Sequence, residues 1–293
     1  MTTLETQQLS QAPFIRYDLD ENERLDVFAC ANEQLHFAIQ PDATNVLVVP
    51  TNTELANYVR SVESESLPTI PKYMKDYEHG SRFVLVLQDT EEGVVHTAPA
   101  HTFRIQDTKR LGIEKDYQTV GLLTFDDALK QGKVTVEQLL EFYEVNTLED
   151  LGKEYINVET NIANKEVPFS IKRPYSALGY RAIFEIVNKE NYRGVVAYQN
   201  PEAIKSLSHL GLVSVPLVGN PEISVEDEDK PLKSDGGVDE YFPLTVESVP
   251  WSKLSDGSPE HNLKMFTDPE YAKTFSRIAA LVASKKLNVI TVK

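Results

Sequence analysis

RGVVAYQNPEAIKSLSHLGL (193–212) is the stretch from which the rest of the chain is read. RGVVAYQ (193–199) has the β-branched run of a buried strand. Asn200 can cap a helix, Pro201 suits its first position, and Gly211 stands just past its last periodic residue. The spacing predicts a strand, a capped helix over 201–211 and a further strand over 213–219. Working outward, YINVETNIA (155–163) alternates Ile156, Val158 and Thr160 against Tyr155, Asn157 and Glu159, which is the period of a strand. SALGYRAIFEIVN (176–188) has the period of a helix. VLVV (46–49) predicts a strand, ELANYVRSVE (54–63) a helix, and Pro71 the start of a second short helix ending near Gly80. RFVLVLQ (82–88), DTEEG (89–93) and VVHTA (94–98) read as a hairpin around an acidic turn.

TVEQLLEFYE (135–144), with Thr135 placed to cap it, reads as the one clear helix of an insertion over 105–150. Beyond the acidic loop at 221–240, YFPLTVESV (241–249) reads as a strand, held to an edge by Pro243. DPEYAKTFSRIAALVASKK (268–286) reads as one amphipathic helix whose stripe of Tyr271, Phe275, Ile278, Leu281 and Val282 faces the core or a homodimer partner. NVITV (288–292) closes as a strand or tail, and VFACANEQLHFAI (27–39) fits either a strand pair or a short helix.

Composition narrows the function. The chain has 293 residues, with Lys+Arg 29 against Asp+Glu 45 and a net charge of −16. That field repels phosphate backbones and anionic lipid, so duplex nucleic acid is not an expected partner. No apolar run approaches the ~18 residues of a membrane helix, so no membrane span is expected. A single cysteine, Cys30, excludes an internal disulfide, and the polar start MTTLETQQLSQ lacks the pattern of a signal peptide; the cytoplasm is the expected compartment. The 13 glycines form no G-x-G-x-x-G, no G-x-x-x-x-G-K-[ST] and no G-x-S-x-G. The six histidines contain no H-E-x-x-H pair, so no metal is expected.

NPEAIKSLSHLGL (200–212) resembles the C-terminal helix of the GNAT superfamily of N-acetyltransferases. The pattern there is N-x-x-[AS]-x-x-x-[YL]-x-x-x-G-[FL] directly after a buried strand. Asn200, Ala203, Leu207, Gly211 and Leu212 fall on it in register, and the element order from 45 to 220 is similar to the family's. The resemblance implies an α/β fold: a mixed twisted sheet with flanking helices. It implies a GNAT-like core over 45–220 with the insertion 105–150, an N-terminal extension over 1–44, and an acidic loop with a C-terminal strand-helix extension over 221–293. It also implies acetyl-CoA or a longer acyl-CoA as co-substrate and a small-molecule or peptide amine as acceptor. Asn200 and Ala203 would lie near the pantetheine. The position matched by Leu207 is often a tyrosine that protonates the leaving thiolate, which leucine cannot do. KRPYSALGYRA (172–182) corresponds to the family's diphosphate loop, with Arg173, Ser176, Ala177, Leu178 and Gly179 as the cofactor-binding residues. Ser176 and Leu178 stand where the family has glycine.

Acyl transfer to an amine needs a neutral nucleophile, an oriented thioester and an exit for the ammonium proton. Glu159, mid-strand on the element that receives the thioester in the family, is the expected base, with Asn157 and Asn161 sharing its face by period two. Tyr198 is the phenol nearest the matched Asn200. Plainer readings stand beside these: Asn200 as an N-cap alone, Glu159 as a surface carboxylate, and the basic group Lys165, Lys172, Arg173, Arg181, Lys189 and Arg193 as a solvated helix face. The rival function is a non-catalytic GNAT-like ligand-binding or scaffold protein, which suits Leu207 and the missing glycines.

Overall fold

The valine-rich run at 46–49 forms the centre of strand β4 (Thr44–Pro50), buried along six of its seven residues. The structure, a computed structural model, describes residues 15–18, 24–29, 35–38, 43–66, 80–87, 94–95, 99–107, 123–164, 169–199, 205, 207–213, 222–223, 244–248 and 261–292. Two sheets are built from them. β1 (Ile15–Asp18), β2 (Arg24–Ala29), β3 (Leu35–Ala38) and β6 (Val94–Val95) pair antiparallel in that order. The 27–39 stretch is therefore a strand pair. The larger sheet is mixed and has eight strands, in the order β10 (Glu222–Ile223), β11 (Leu244–Ser248), β9 (Gly194–Gln199), β8 (Tyr155–Ala163), β7 (His101–Gln106), β5 (Ser81–Val86), β4 and β12 (Leu287–Thr291). Its pairings are antiparallel except β8 with β9 and β12 with β4.

Helices cover both faces, so the protein is α/β with a mixed sheet flanked by helices. On one face α5 (Phe169–Lys189), with α6 (His261–Thr267), α7 (Pro269–Lys273) and α8 (Arg277–Ser284), packs on Val46, Val84, Phe103, Ile105, Ile156 and Val158. On the other, α1 (Glu54–Ser66) packs on Leu47, Val49, Phe83 and Leu85. Beside it α2 (Leu123–Lys130), α3 (Val136–Tyr143) and α4 (Leu148–Glu154) enclose Tyr155 and Val196. Alternate strand residues feed opposite faces, which is why this sheet reads as continuous apolar runs. No described helix is long and apolar enough to cross a membrane.

Several local expectations appear as read. Thr135 caps α3 in a reciprocal pair with Gln138. Gly211, at φ +77°, ends the helical turn at 207–209: its N–H donates to Ser208, and the Leu212 N–H reaches back to Leu207. The helix starting at Pro71, the strand at 213–219 and the start of the 201–211 helix lie outside the described residues.

Four expectations change. β5 pairs with β7 rather than with the expected hairpin partner, of which the described residues Val94–Val95 join β3 in the smaller sheet. β5 is buried along its whole length and needs a partner equally buried; HTFRIQ meets that condition because its polar residues find partners inside. β7 runs to Gln106, so residues 105–106 belong to the sheet rather than to an insertion. α5 opens at Phe169, seven residues before Ser176, and carries Pro174 through its first turns. The helix expected over 268–286 is split in two by Ser276, whose hydroxyl caps α8. Splitting re-phases the stripe: Val282 is wholly buried, whereas Phe275 and Leu281 are 55% and 52% exposed.

Tyr143 and Tyr155 stack edge-to-face in the α2–α4 layer, with ring centroids 4.9 Å apart. Burial raises both phenols above their ordinary value, and burial with the Asp107 charge raises Tyr192 as well. Folded phenols thus keep protons that the unfolded chain releases near pH ~10. Their stabilisation is complete below that pH and falls as pH rises further, by up to about 4 kcal/mol per pH unit for the three together. Urea midpoints measured from pH 9 to 11.5 should fall steeply above 10, and Tyr143→Phe should remove about a third of the slope; a flat profile would contradict this.

Candidate active site

The parallel ladder between β8 and β9 runs from Tyr155–Gly194 to Val158–Ala197 and ends there. Both strands continue, β8 to Ala163 against β7 and β9 to Gln199 against β11. A wedge therefore opens inside the sheet past Val158 and Ala197. The first residues past the last pair are Glu159 on one side and Tyr198 on the other, the two residues expected to be catalytic.

A β-bulge stands where the ladder ends. On β7, Arg104 stands opposite Thr160 and Ile105 opposite Val158, so Glu159 is the extra residue. Its side chain is wholly buried, while the residue as a whole is partly exposed; the exposure is that of its main chain. The carboxylate lies on the α1 face. There Oε2 is 2.8 Å from Arg104 Nε and accepts from the Ser81 hydroxyl at 3.4 Å. Arg104, itself 4% exposed, also sits over the Phe83 ring at 5.9 Å.

The bulge also separates two asparagines expected to share Glu159's face. Asn157, before it, is fully buried in the row Ser81, Gln106, Asn157 across β5, β7 and β8. Asn161, after it, has turned to the α5 face, where its amide donates to the Tyr180 hydroxyl at 3.0 Å. Tyr180 packs edge-on against Phe103, which stacks on His101.

The diphosphate residues sit differently from the sequence reading. Ser176, Ala177, Leu178 and Gly179 lie inside α5, so their N–H groups face intrahelical carbonyls, and the uncommitted N–H groups of this helix belong to 169–172. Ala177 and Leu178 are core residues, and Ser176 is half-buried. Gly179 is a contact glycine: a Cβ there would stand 1.9 Å from Phe103 Cε2. Arg173 is in the same helix; Asn200 and Ala203 lie outside the described residues. Of the basic group, Arg181 donates to the Val282 and Lys285 carbonyls at the end of α8 and pairs with Glu185, and Arg193 pairs with Glu154. These two cations are engaged within the fold. Leu207 is buried in the α5 core.

Arg104 and Ser81 were missed by sequence reasoning. The available signal was an arginine between Phe103 and Ile105, since a charge centred in a two-sided apolar strand needs a buried partner.

No model of a known protein family matches the chain, and no curated protein matches it. Among solved structures it is similar to FeeM, an N-acyl amino acid synthase from uncultured soil microbes. The identity is 12% and the TM-score 0.39, over 73% of this chain and 98% of that one. It is also similar to arylalkylamine N-acetyltransferase 2 from Aedes aegypti, at 11% identity and a TM-score of 0.28, over 65% and 79% of the two chains. At these identities and TM-scores neither likeness decides what the chain does.

Proposed function

We propose that the chain is an N-acyltransferase that moves an acyl group from an acyl-CoA or acyl-carrier thioester to a small-molecule or peptide amine by direct attack in a ternary complex. The observation that carries this reading is the wedge between β8 and β9, with Glu159 and Tyr198 at its mouth. The register of the 200–212 motif supports it. The amine nitrogen forms its bond to the thioester carbon as the C–S bond breaks. Glu159, directly or through a water, takes the ammonium proton, and Tyr198 supplies one to the departing thiolate. Main-chain groups at the bulge orient the thioester, Asn200 and Ala203 lie along the pantetheine, and the start of α5 with Arg173 meets the diphosphate. Cytoplasmic location is part of the proposal and follows from the cysteine usage.

A second reading has support in the structure: a non-catalytic module that binds the same thioester. The Glu159 carboxylate is wholly buried against Arg104, and Leu207 offers no proton.

Thermal stability should be measured with acetyl-CoA, a long-chain acyl-CoA, CoA, ATP and NAD at matched concentration. A ligand at 100 times its dissociation constant stabilises by ~2.7 kcal/mol. A shift selective for a thioester, followed by acylation of added amines, is the expected result. The same shift without acylation would select the binding module, and no shift with any CoA species would remove acyl-CoA as the donor and favour a non-catalytic scaffold.

A further inference from the structure

We infer that Arg104 is a positioning residue that sets the β8 bulge and so holds the wedge open. This rests on the acyltransferase reading for its kinetic consequence, although not for its structural one. Two residues of β8, Glu159 and Thr160, occupy the span facing Arg104 alone. A regular ladder would place Glu159 opposite Arg104, Thr160 opposite Phe103 and Asn161 on the α1 face. The observed register differs by one residue from that point on. Its distinguishing contacts are the Arg104–Glu159 ion pair on one face and the Asn161–Tyr180 hydrogen bond on the other.

The ion pair selects between the two registers because both of its members are buried. A buried pair of opposite charges adds little net stability compared with apolar residues of similar volume, but its geometry is demanding. Arg104 is fixed from below by Phe83, and Glu159 from the side by the Ser81 hydroxyl. With the carboxylate buried there, the main chain of Glu159 is the part of the residue that solvent reaches. Arg104 acts on the wedge through its ion pair with Glu159.

Two variants test this. Arg104→Met with Glu159→Leu removes both charges, so no lone ion is left buried and the fold is kept. Hydrogen exchange of the amides at 159–163 should change at least tenfold as the register shifts, and the Asn161–Tyr180 contact should be lost. Exchange within twofold of wild type with that contact intact would overturn the proposal. Arg104→Lys keeps the charge but loses the planar fork. It should raise KM for the thioester at least tenfold with kcat within threefold, whereas a merely structural loss would lower the active fraction and leave KM alone; an unchanged KM also overturns it. Should the wild type bind no thioester, the acyltransferase reading fails, and the exchange data still decide the role of Arg104. Should the double variant not fold, exchange in Arg104→Lys decides it, with unchanged rates at 159–163 overturning the proposal.

Discussion

Arg82→Met should destabilise the protein by about 3–5 kcal/mol, the cost of leaving a buried charge without its partner. Arg82 is 2% exposed, and Asp107, 2.8 Å away, is wholly buried. Glu190, just past the end of α5, accepts two hydrogen bonds from the same guanidinium at 3.0 and 3.2 Å. Burial by itself disfavours the Arg82 charge, yet Asp107 and Glu190 raise its proton affinity above the ordinary guanidinium value. The network joins β5, the residue after β7 and the turn after α5, so its loss loosens three elements together. Against a total stability of about 5–15 kcal/mol, a loss of this size should lower the melting temperature by roughly 10 °C. Arg82→Met combined with Asp107→Leu should recover most of it. A single variant within 1 kcal/mol of wild type by urea denaturation would show that Asp107 finds another partner.

Glu159→Gln should lower kcat about 100-fold, with the thioester dissociation constant changed less than threefold. General-base catalysis contributes typically about 10²–10⁴-fold. The amide is close in shape to the carboxylate and still accepts from Arg104, so the bulge should persist while the proton acceptor is lost, with a lower melting temperature because the Arg104 charge is left unpaired. The deficit should shrink at high pH, where the acceptor amine is neutral before it binds. Rates measured from pH 6 to 10 alongside melting temperatures separate this from a folding defect. Wild-type rates at every pH would remove Glu159 as the base and leave its main chain as its contribution.

The parts of the fold legible in the sequence are those fixed by neighbours a few residues apart. The strand at 155–163, the Thr135 cap and the positive φ at Gly211 each depend on a local pattern, and each appears where that pattern places it. Long-range choices were not legible. Whether Ser81–Val86 takes 94–98 or His101–Gln106 as partner depends on which strand buries its polar side chains, and the acid that pairs with Arg104 lies 55 residues further on, at Glu159. The period of 176–188 does not reach back to Phe169, and Pro174 removes a helix donor, yet Tyr175, Ala177 and Leu178 pack α5 onto the sheet and the helix runs through it. The bulge was hidden for the same reason. YINVETNIA alternates cleanly, and only the opposing strand shows that one of its residues is extra.

The outermost strand of the larger sheet has a consequence for biosynthesis. β12 lies parallel to β4, with Val289 beside Val46 and the Asn288 amide donating to Asn45, 243 positions earlier in the chain. A ribosome adding about 5–20 residues per second needs tens of seconds to cover that distance. Throughout that interval the valine-rich edge of β4 has no strand beside it, and an uncovered apolar edge invites pairing with other chains. The nascent protein thus exposes this edge for the 243 positions that separate it from the strand that shields it, which makes it a natural client for chaperones that hold unfinished chains.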